Sequence, residues 1–153
     1  DQGYRLVVVT NQAGVARGYY TEDDVKELHR YMNELLAGQG VKIDAFYYCP
    51  HHPEHGIGKY KVRCHCRKPE TGMFEMAEQD FVVDKASSWM IGDKLIDMEA
   101  GRNYGVRTVL VGTGYGAGVH EEQKKKGDFP YDLYADDLLE AYNEINRETA
   151  GNL

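Results

Sequence analysis

The chain has 153 residues and a mass of 17.4 kDa, enough for one domain with a sizeable core and too little for a repeat array. Its 42% hydrophobic, 11% aromatic and 28% charged residues exclude intrinsic disorder and a disulfide miniprotein, and no apolar run approaches the ~20 residues that cross a bilayer. The net charge of −7, from 18 Lys and Arg against 25 Asp and Glu, argues against a nucleic-acid surface, while a few cations focused in one cleft still suit a small anionic substrate.

Gly3 stands where a helix C′ glycine commonly sits, just before the strand-like Tyr4-Arg5-Leu6-Val7-Val8-Val9. The continuous runs Leu6 to Val9 and Val109 to Val111 suit strands covered on both faces. Thr21-Glu22-Asp23-Asp24 predicts a capping-box start, after which Val25, Leu28, Met32 and Leu35 or Leu36 recur at helical spacing up to Gly38. Ile43 to Tyr48 predicts a strand, and the segment from Cys49 to Lys68 a loop rich in His, Cys and Gly. A helix over Gly72 to Gln79, a strand over Ser88 to Ile91, a helix over Leu95 to Tyr104 and a strand over Arg107 to Val111 follow. Gly112 to Gly118 and Lys124-Lys125-Lys126 read as exposed turns, and Asp136 to Arg147 as a last helix with Leu138, Leu139, Tyr142 and Ile145 inward. This alternation predicts an α/β layered parallel sheet with right-handed crossovers, in a single domain over residues 1–153.

All three cysteines fall in one window of 18 residues: Cys49-Pro50-His51, a spacer of twelve, then Cys64-His65-Cys66. Three thiols and an imidazole in two close pairs match a closed tetrahedral Zn²⁺ site, in which the metal staples a loop rather than activates water. His51 gives each pair one intervening residue, with His52, His55 and His65 as neighbouring candidates; the bland alternative is three buried or free cysteines with solvent-facing histidines. An odd number of cysteines with no secretory signal disfavours a disulfide framework.

Three further segments suit phosphate. Val7-Val8-Val9-Thr10-Asn11-Gln12-Ala13 ends an apolar strand in a hydroxyl and two amides, where α/β sheets collect ligands; an ordinary turn would use the same residues. Ile91-Gly92-Asp93-Lys94 puts a carboxylate at a second strand end, with Asp97 four residues on. Such a pair suits Mg²⁺, one ligating and one orienting, or alternatively a helix cap and a solvated charge. Arg67-Lys68-Pro69 follows the second metal pair directly, with a bidentate fork and a point charge side by side.

Together, residues 7–12, 48–53, 64–69 and 91–98 resemble the haloacid dehalogenase (HAD) superfamily of phosphatases, and within it the zinc-containing D-glycero-D-manno-heptose 1,7-bisphosphate 7-phosphatases, over roughly Gly3 to Gly114. The resemblance implies a three-layer Rossmann-like (HAD-like) parallel sheet with a zinc-binding loop over residues 49–68. It also implies a phosphoaspartyl mechanism, in which one aspartate attacks phosphorus and a second protonates the leaving oxygen. By the same resemblance Thr10 and Lys68 stabilise the phosphoryl group, Asn11, Gln12, Ala13, Arg67 and Lys94 contribute to substrate binding, and Cys49, His51, Cys64 and Cys66 bind structural Zn²⁺. Asp93 ligates the catalytic Mg²⁺, with Lys94 nearby and Asp97 supporting.

The family's Asp-x-Asp-Gly motif, which carries nucleophile and general acid, does not occur in the chain, and only nine residues precede Thr10 where a βαβ unit needs about 30. The expectation is a phosphatase domain that is N-terminally incomplete, and a chain that binds zinc and phosphate without turning over. The parent protein is expected to be a cytoplasmic monomer acting on a sugar phosphate, with no nucleic-acid or membrane partner. Histidinol-phosphate phosphatase is the enzymatic alternative, although its zinc loop is typically shorter. An inactive, zinc-stapled phosphate-binding remnant is the alternative of another class.

Overall fold

The computed structural model describes residues 3–151. The chain divides into two compact units, Asp1–Val82 and Val83–Leu153. In the first, strand β1 (Val7–Asn11) runs parallel to β2 (Ala45–Cys49), with Val7 opposite Ala45 and Asn11 opposite Cys49. This register sets Asn11, at the end of β1, beside Cys49, and the Gln12 N–H donates to the Cys49 carbonyl at 2.7 Å.

Between these strands lie a short helix α1 (Ala13–Ala16), which the sequence pattern did not predict, and helix α2 (Glu22–Ala37). The capping box is present: Asp24 N–H donates to Thr21 Oγ1 at 3.1 Å and Thr21 N–H to Asp24 Oδ2 at 2.9 Å. Glu22, Asp23 and Asp24 add favourable charge at the positive helix end. The inward face follows an i, i+4 row through Val25, His29 and Asn33. His29 stacks on Phe46 with centroids 4.2 Å apart, and Asn33 exchanges two hydrogen bonds with the backbone of Ile43. Leu28 and Leu35 lie off that row and remain exposed, so their helical spacing marks the helix and not its buried face. Helix α3 (Gly72–Asp80) buries Met73 and Ala77 against Tyr47 and Cys49 of β2.

The second unit contains β3 (Trp89–Gly92), α4 (Leu95–Tyr104), β4 (Arg107–Val111), α5 (Gly116–Lys126), β5 (Leu133–Ala135) and α6 (Leu138–Gly151). Its three strands are parallel in the order β3-β4-β5. Strand β4 is covered on both faces, as its apolar run predicted. Val109 and Val111 join Ala135, Ala141 and Ile145, while Leu110 points the other way into Met98 and Tyr131.

Two expectations need correction here. Residues 116–126 form a helix rather than turns. Only Gly116 and Gln123 are buried along it, so it shows no apolar stripe, and the three lysines are favoured by the negative end of its dipole. In α6 the inward residues are Ala141 and Ile145, while Leu138, Leu139 and Tyr142 are exposed, because the helix approaches the sheet through its smallest side chain. Among the described residues no helix is long and apolar enough to cross a membrane.

Candidate active site and metal centre

The ends of β1 and β2 and the start of α3 gather Cys49, His51, Cys64 and Cys66 so that one ligand atom from each lies within 4.8 Å of all the others. The sulfurs stand 2.9 to 3.2 Å apart, and His51 Nδ1 lies 3.8 Å from Cys49 Sγ and 3.5 Å from Cys66 Sγ. A tetrahedron of 2.3 Å Zn–S bonds has edges of about 3.8 Å, so outward shifts of under ~1 Å convert the cluster into a zinc cage. The donor set fits the ion. Cys66 donates to Cys49 and Cys64, which pushes its own thiol pKa up and that of Cys49 down. Sulfurs this close cannot all ionise without a cation among them.

The other candidate histidines are committed elsewhere. His52 Nδ1 accepts the N–H groups of Glu54 and His55 at 3.1 and 3.0 Å; desolvation, then the Arg67 charge, holds its imidazolium below the ordinary range. His65 turns outward to Glu75, 2.5 Å away, and Glu70, 3.5 Å away. Helix α3 starts hard against the loop: a Cβ on Gly72 would stand 2.6 Å from the His65 carbonyl oxygen, so only glycine fits.

The metal loop is tied to the phosphate segment by a two-way bond. Lys68 N–H donates to Asn11 Oδ1 at 3.0 Å, Asn11 Nδ2 donates to the Lys68 carbonyl at 3.4 Å, and Lys68 Nζ reaches the Val9 carbonyl at 3.1 Å. Asn11 is therefore a bracket for Lys68, and the ammonium lies alongside the strand that ends in Thr10 and Asn11. Arg67 Nη1 is the one buried side-chain donor without a partner among the described residues, and its chemistry suits an anionic oxygen. The Lys68-Pro69 peptide is cis.

Thr10 itself is oriented by a short chain. Tyr20 OH donates to Gln12 Oε1 at 2.5 Å and Gln12 Nε2 donates to Thr10 Oγ1 at 3.1 Å. With its oxygen already accepting, the Thr10 hydroxyl has a proton to give, at present spent on the Asn11 carbonyl at 3.4 Å. Ala13 opens α1 directly after this chain. Sequence reasoning missed Tyr20, which follows a turn and has no periodic signal. It also missed Glu22, which accepts from Tyr48 at 2.9 Å and Tyr60 at 2.7 Å and so anchors the metal loop to α2. Those two bonds, Tyr60 first, hold the Glu22 carboxyl below its ordinary range, while burial and Glu22 push Tyr48 up to about 12. Glu22, Tyr48 and Tyr60 line a cavity of about 450 Å³ that His51 and Cys66 border.

In the second unit Asp93 follows β3. Its Oδ2 accepts the Tyr115 N–H at 3.1 Å, and among the described residues Oδ1 has no hydrogen-bond or ionic partner. A free carboxylate oxygen at a strand end fits Mg²⁺, a hard ion that takes one or two carboxylates and completes its shell with water and phosphate. Lys94 points its ammonium over the Tyr115 ring, 4.9 Å from the centroid. Asp97 is buried and accepts the Lys94 N–H at 3.2 Å, so it holds the turn after Asp93 in shape.

The family profile described as HAD-hydrolase-like matches residues 65–141. The D-glycero-beta-D-manno-heptose-1,7-bisphosphate 7-phosphatase of Haemophilus ducreyi is 48% identical over 130 residues, 84% of this chain and 70% of that protein. The D-glycero-alpha-D-manno-heptose-1,7-bisphosphate 7-phosphatase of Burkholderia mallei is 50% identical over 109 residues, 71% of this chain and 58% of that protein. The crystal structure of D,D-heptose 1.7-bisphosphate phosphatase from B. bronchiseptica, complexed with magnesium and phosphate, matches with a TM-score of 0.77 at 32% identity, over 94% of this chain and 75% of that one. The chain thus spans from about three-fifths to three-quarters of the length of these relatives. A parallel α/β fold, a matching profile and relatives of this identity lead to one assignment: the chain belongs to the HAD-like phosphatases, in the family of the D-glycero-D-manno-heptose-1,7-bisphosphate 7-phosphatases.

Proposed function

We propose that the protein carrying this chain removes the C7 phosphate of D-glycero-D-manno-heptose 1,7-bisphosphate in the cytoplasm, as a monomer, on the route to nucleotide-activated heptose for the lipopolysaccharide core. The observation that carries the reading is the bracket between Asn11 and Lys68 beside the unpartnered Arg67 Nη1: a cation held at a strand end and a buried guanidinium donor awaiting an anion. In this reading residues 1–153 belong to one HAD-like phosphatase domain, a view supported by the 94% of the chain that matches the B. bronchiseptica structure.

The chain's own residues bind and stabilise charge. Thr10 donates its hydroxyl proton to a phosphoryl oxygen, and Lys68 neutralises the charge that grows on that group as the ester bond breaks. Arg67 takes substrate oxygens with its planar fork, and Asn11, Gln12 and Ala13 form the rim that orients them. Asp93 supplies the carboxylate for Mg²⁺, which neutralises phosphoryl charge when bound, and Lys94 contributes to substrate binding near it. Cys49, His51, Cys64 and Cys66 hold Zn²⁺, which clips the loop that presents Arg67 and Lys68. The attacking aspartate and the general acid of the family's mechanism are not among the 153 residues.

The test is phosphate release by the complete gene product with Mg²⁺, comparing both anomers of the heptose bisphosphate with histidinol phosphate. Turnover of at least one heptose anomer well above histidinol phosphate supports the proposal. Preference for histidinol phosphate, or binding of heptose bisphosphate without release, would replace it with one of the rival readings.

A further inference from the structure

We propose that Gly114 and the backbone N–H of Tyr115 position Asp93, pinning one carboxylate oxygen so that the other is presented to Mg²⁺; the proposal rests on the assignment of Asp93 to that ion. The loop between β4 and α5 lies directly against the carboxylate. Tyr115 N–H donates to Oδ2 at 3.1 Å, and Gly114 passes so near that a Cβ there would overlap Oδ2 and stand 3.3 Å from Cγ. Gly114 also has φ of +66°, in the left-handed region that favours glycine. Both its conformation and its lack of a side chain are therefore needed for the loop to reach Asp93.

The consequence is chemical. A carboxylate with both oxygens free rotates about its last bond and presents either or both, whereas Mg²⁺ demands near-ideal octahedral geometry at short distances. A hydrogen bond on Oδ2 fixes the carboxylate plane and leaves Oδ1 as the ligand atom. Lys94, next in sequence, would otherwise compete for that oxygen, but its ammonium is held over the Tyr115 ring. The segment 113–115 thus supports Asp93 twice, through the backbone at 114 and 115 and through the ring of Tyr115. In the sequence it read only as an exposed turn.

The experiment measures Mg²⁺ affinity of the complete gene product by competition with Mn²⁺, whose free fraction is counted by electron paramagnetic resonance. Gly114→Ala and Tyr115→Pro should each weaken Mg²⁺ binding by about ten- to hundredfold, the usual range for losing an outer partner of a metal ligand. Proline at 115 removes the N–H at a backbone φ of −87°, near proline's own range, and so offers a second route if Gly114→Ala fails to fold. Tyr115→Ala, which keeps the N–H, should cost less than Tyr115→Pro. Gly118→Ala, where a Cβ meets nothing within 4 Å, should change nothing. Saturating Mg²⁺ should restore most turnover in Gly114→Ala. Wild-type affinity in Gly114→Ala and Tyr115→Pro, with binding lost in Asp93→Asn, would overturn the positioning role and leave the assignment of Asp93 intact. Wild-type affinity in Asp93→Asn would overturn both.

Discussion

The two units of the chain keep their stability and their chemistry in different relations. In residues 83–151 the apolar core around β4 is separate from the polar strand end: Val109, Leu110 and Val111 are buried, and Asp93 stands apart with a single hydrogen bond. In residues 3–82 the two coincide. Cys49, fully buried, belongs at once to the core cluster with Tyr47, Met73 and Ala77 and to the Cys/His cluster that could hold a metal. Polar ties add to it, such as Glu22 with Tyr48 and Tyr60, Asn33 with Ile43, and Asn11 with Lys68. The second unit should therefore tolerate loss of its functional groups, and the first should not.

The strongest way to break this contrast is Cys64→Ser. It should abolish zinc retention and cost much of the stability of the first unit, since structural zinc sites contribute on the order of 10 kcal/mol of apparent binding free energy to folding. Elemental analysis and amide exchange should show zinc lost and protection lost over residues 49–68, with residues 107–111 still protected; unchanged metal content would refute the ligand set. Leu110→Ala inverts the experiment. A fully buried leucine costs about 2–5 kcal/mol when truncated, so denaturant unfolding should register the loss while zinc content stays the same. Asp93→Asn in the complete protein should lower turnover on the order of 100-fold, about 2.7 kcal/mol of transition-state stabilisation, with thermal stability almost unchanged. A large loss of stability would show that the second unit, too, builds its fold on its site.

The smallest effect sharpens the contrast through pH. Tyr60 and Tyr48 hold the folded Glu22 carboxyl below its ordinary value of 4.5, so its stabilisation is present above pH 4.5 and lost as pH falls through the lower, folded value. Glu22→Gln should therefore loosen the loop at neutral pH, and the difference from the parent protein should shrink in acid below pH 4.5. Comparing the two at matched pH cancels the acid release of zinc that both share. A difference that persists unchanged into acid would mean that the Glu22 bonds carry no ionic component.

The legible parts of the fold were those written in local chemistry. Thr21 and Asp24 announce a helix start that forms as a reciprocal pair of bonds, and the valines of β4 announce a strand with two covered faces. The convergence of Cys49, His51, Cys64 and Cys66 was legible because thiols and imidazole have few other uses at such spacing. Helix α5 was not, because Gly-Ala-Gly followed by charged residues carries no apolar period and the helix buries almost nothing. Strand β5 was too short to register, with only Ala135 buried. The inward choice of Ala141 over Leu138 and Leu139 depends on how closely the helix approaches the sheet, a tertiary fact that hydrophobicity alone does not encode. In the candidate site, Thr10, Lys68 and Asp93 were legible as candidates from their chemistry and their places in the motifs. Their supports lie apart in the chain: Tyr20 acts through Gln12, 8 residues away, and the Gly114-Tyr115 backbone meets Asp93 across more than 20 residues.

The most direct test of the central claim is phosphorus NMR of heptose 1,7-bisphosphate incubated with the complete gene product, Mg²⁺ and zinc-replete protein. The expected result is disappearance of the C7 phosphate resonance with growth of inorganic phosphate while the C1 phosphate persists. Loss of the C1 phosphate first, or both resonances unchanged, would contradict it.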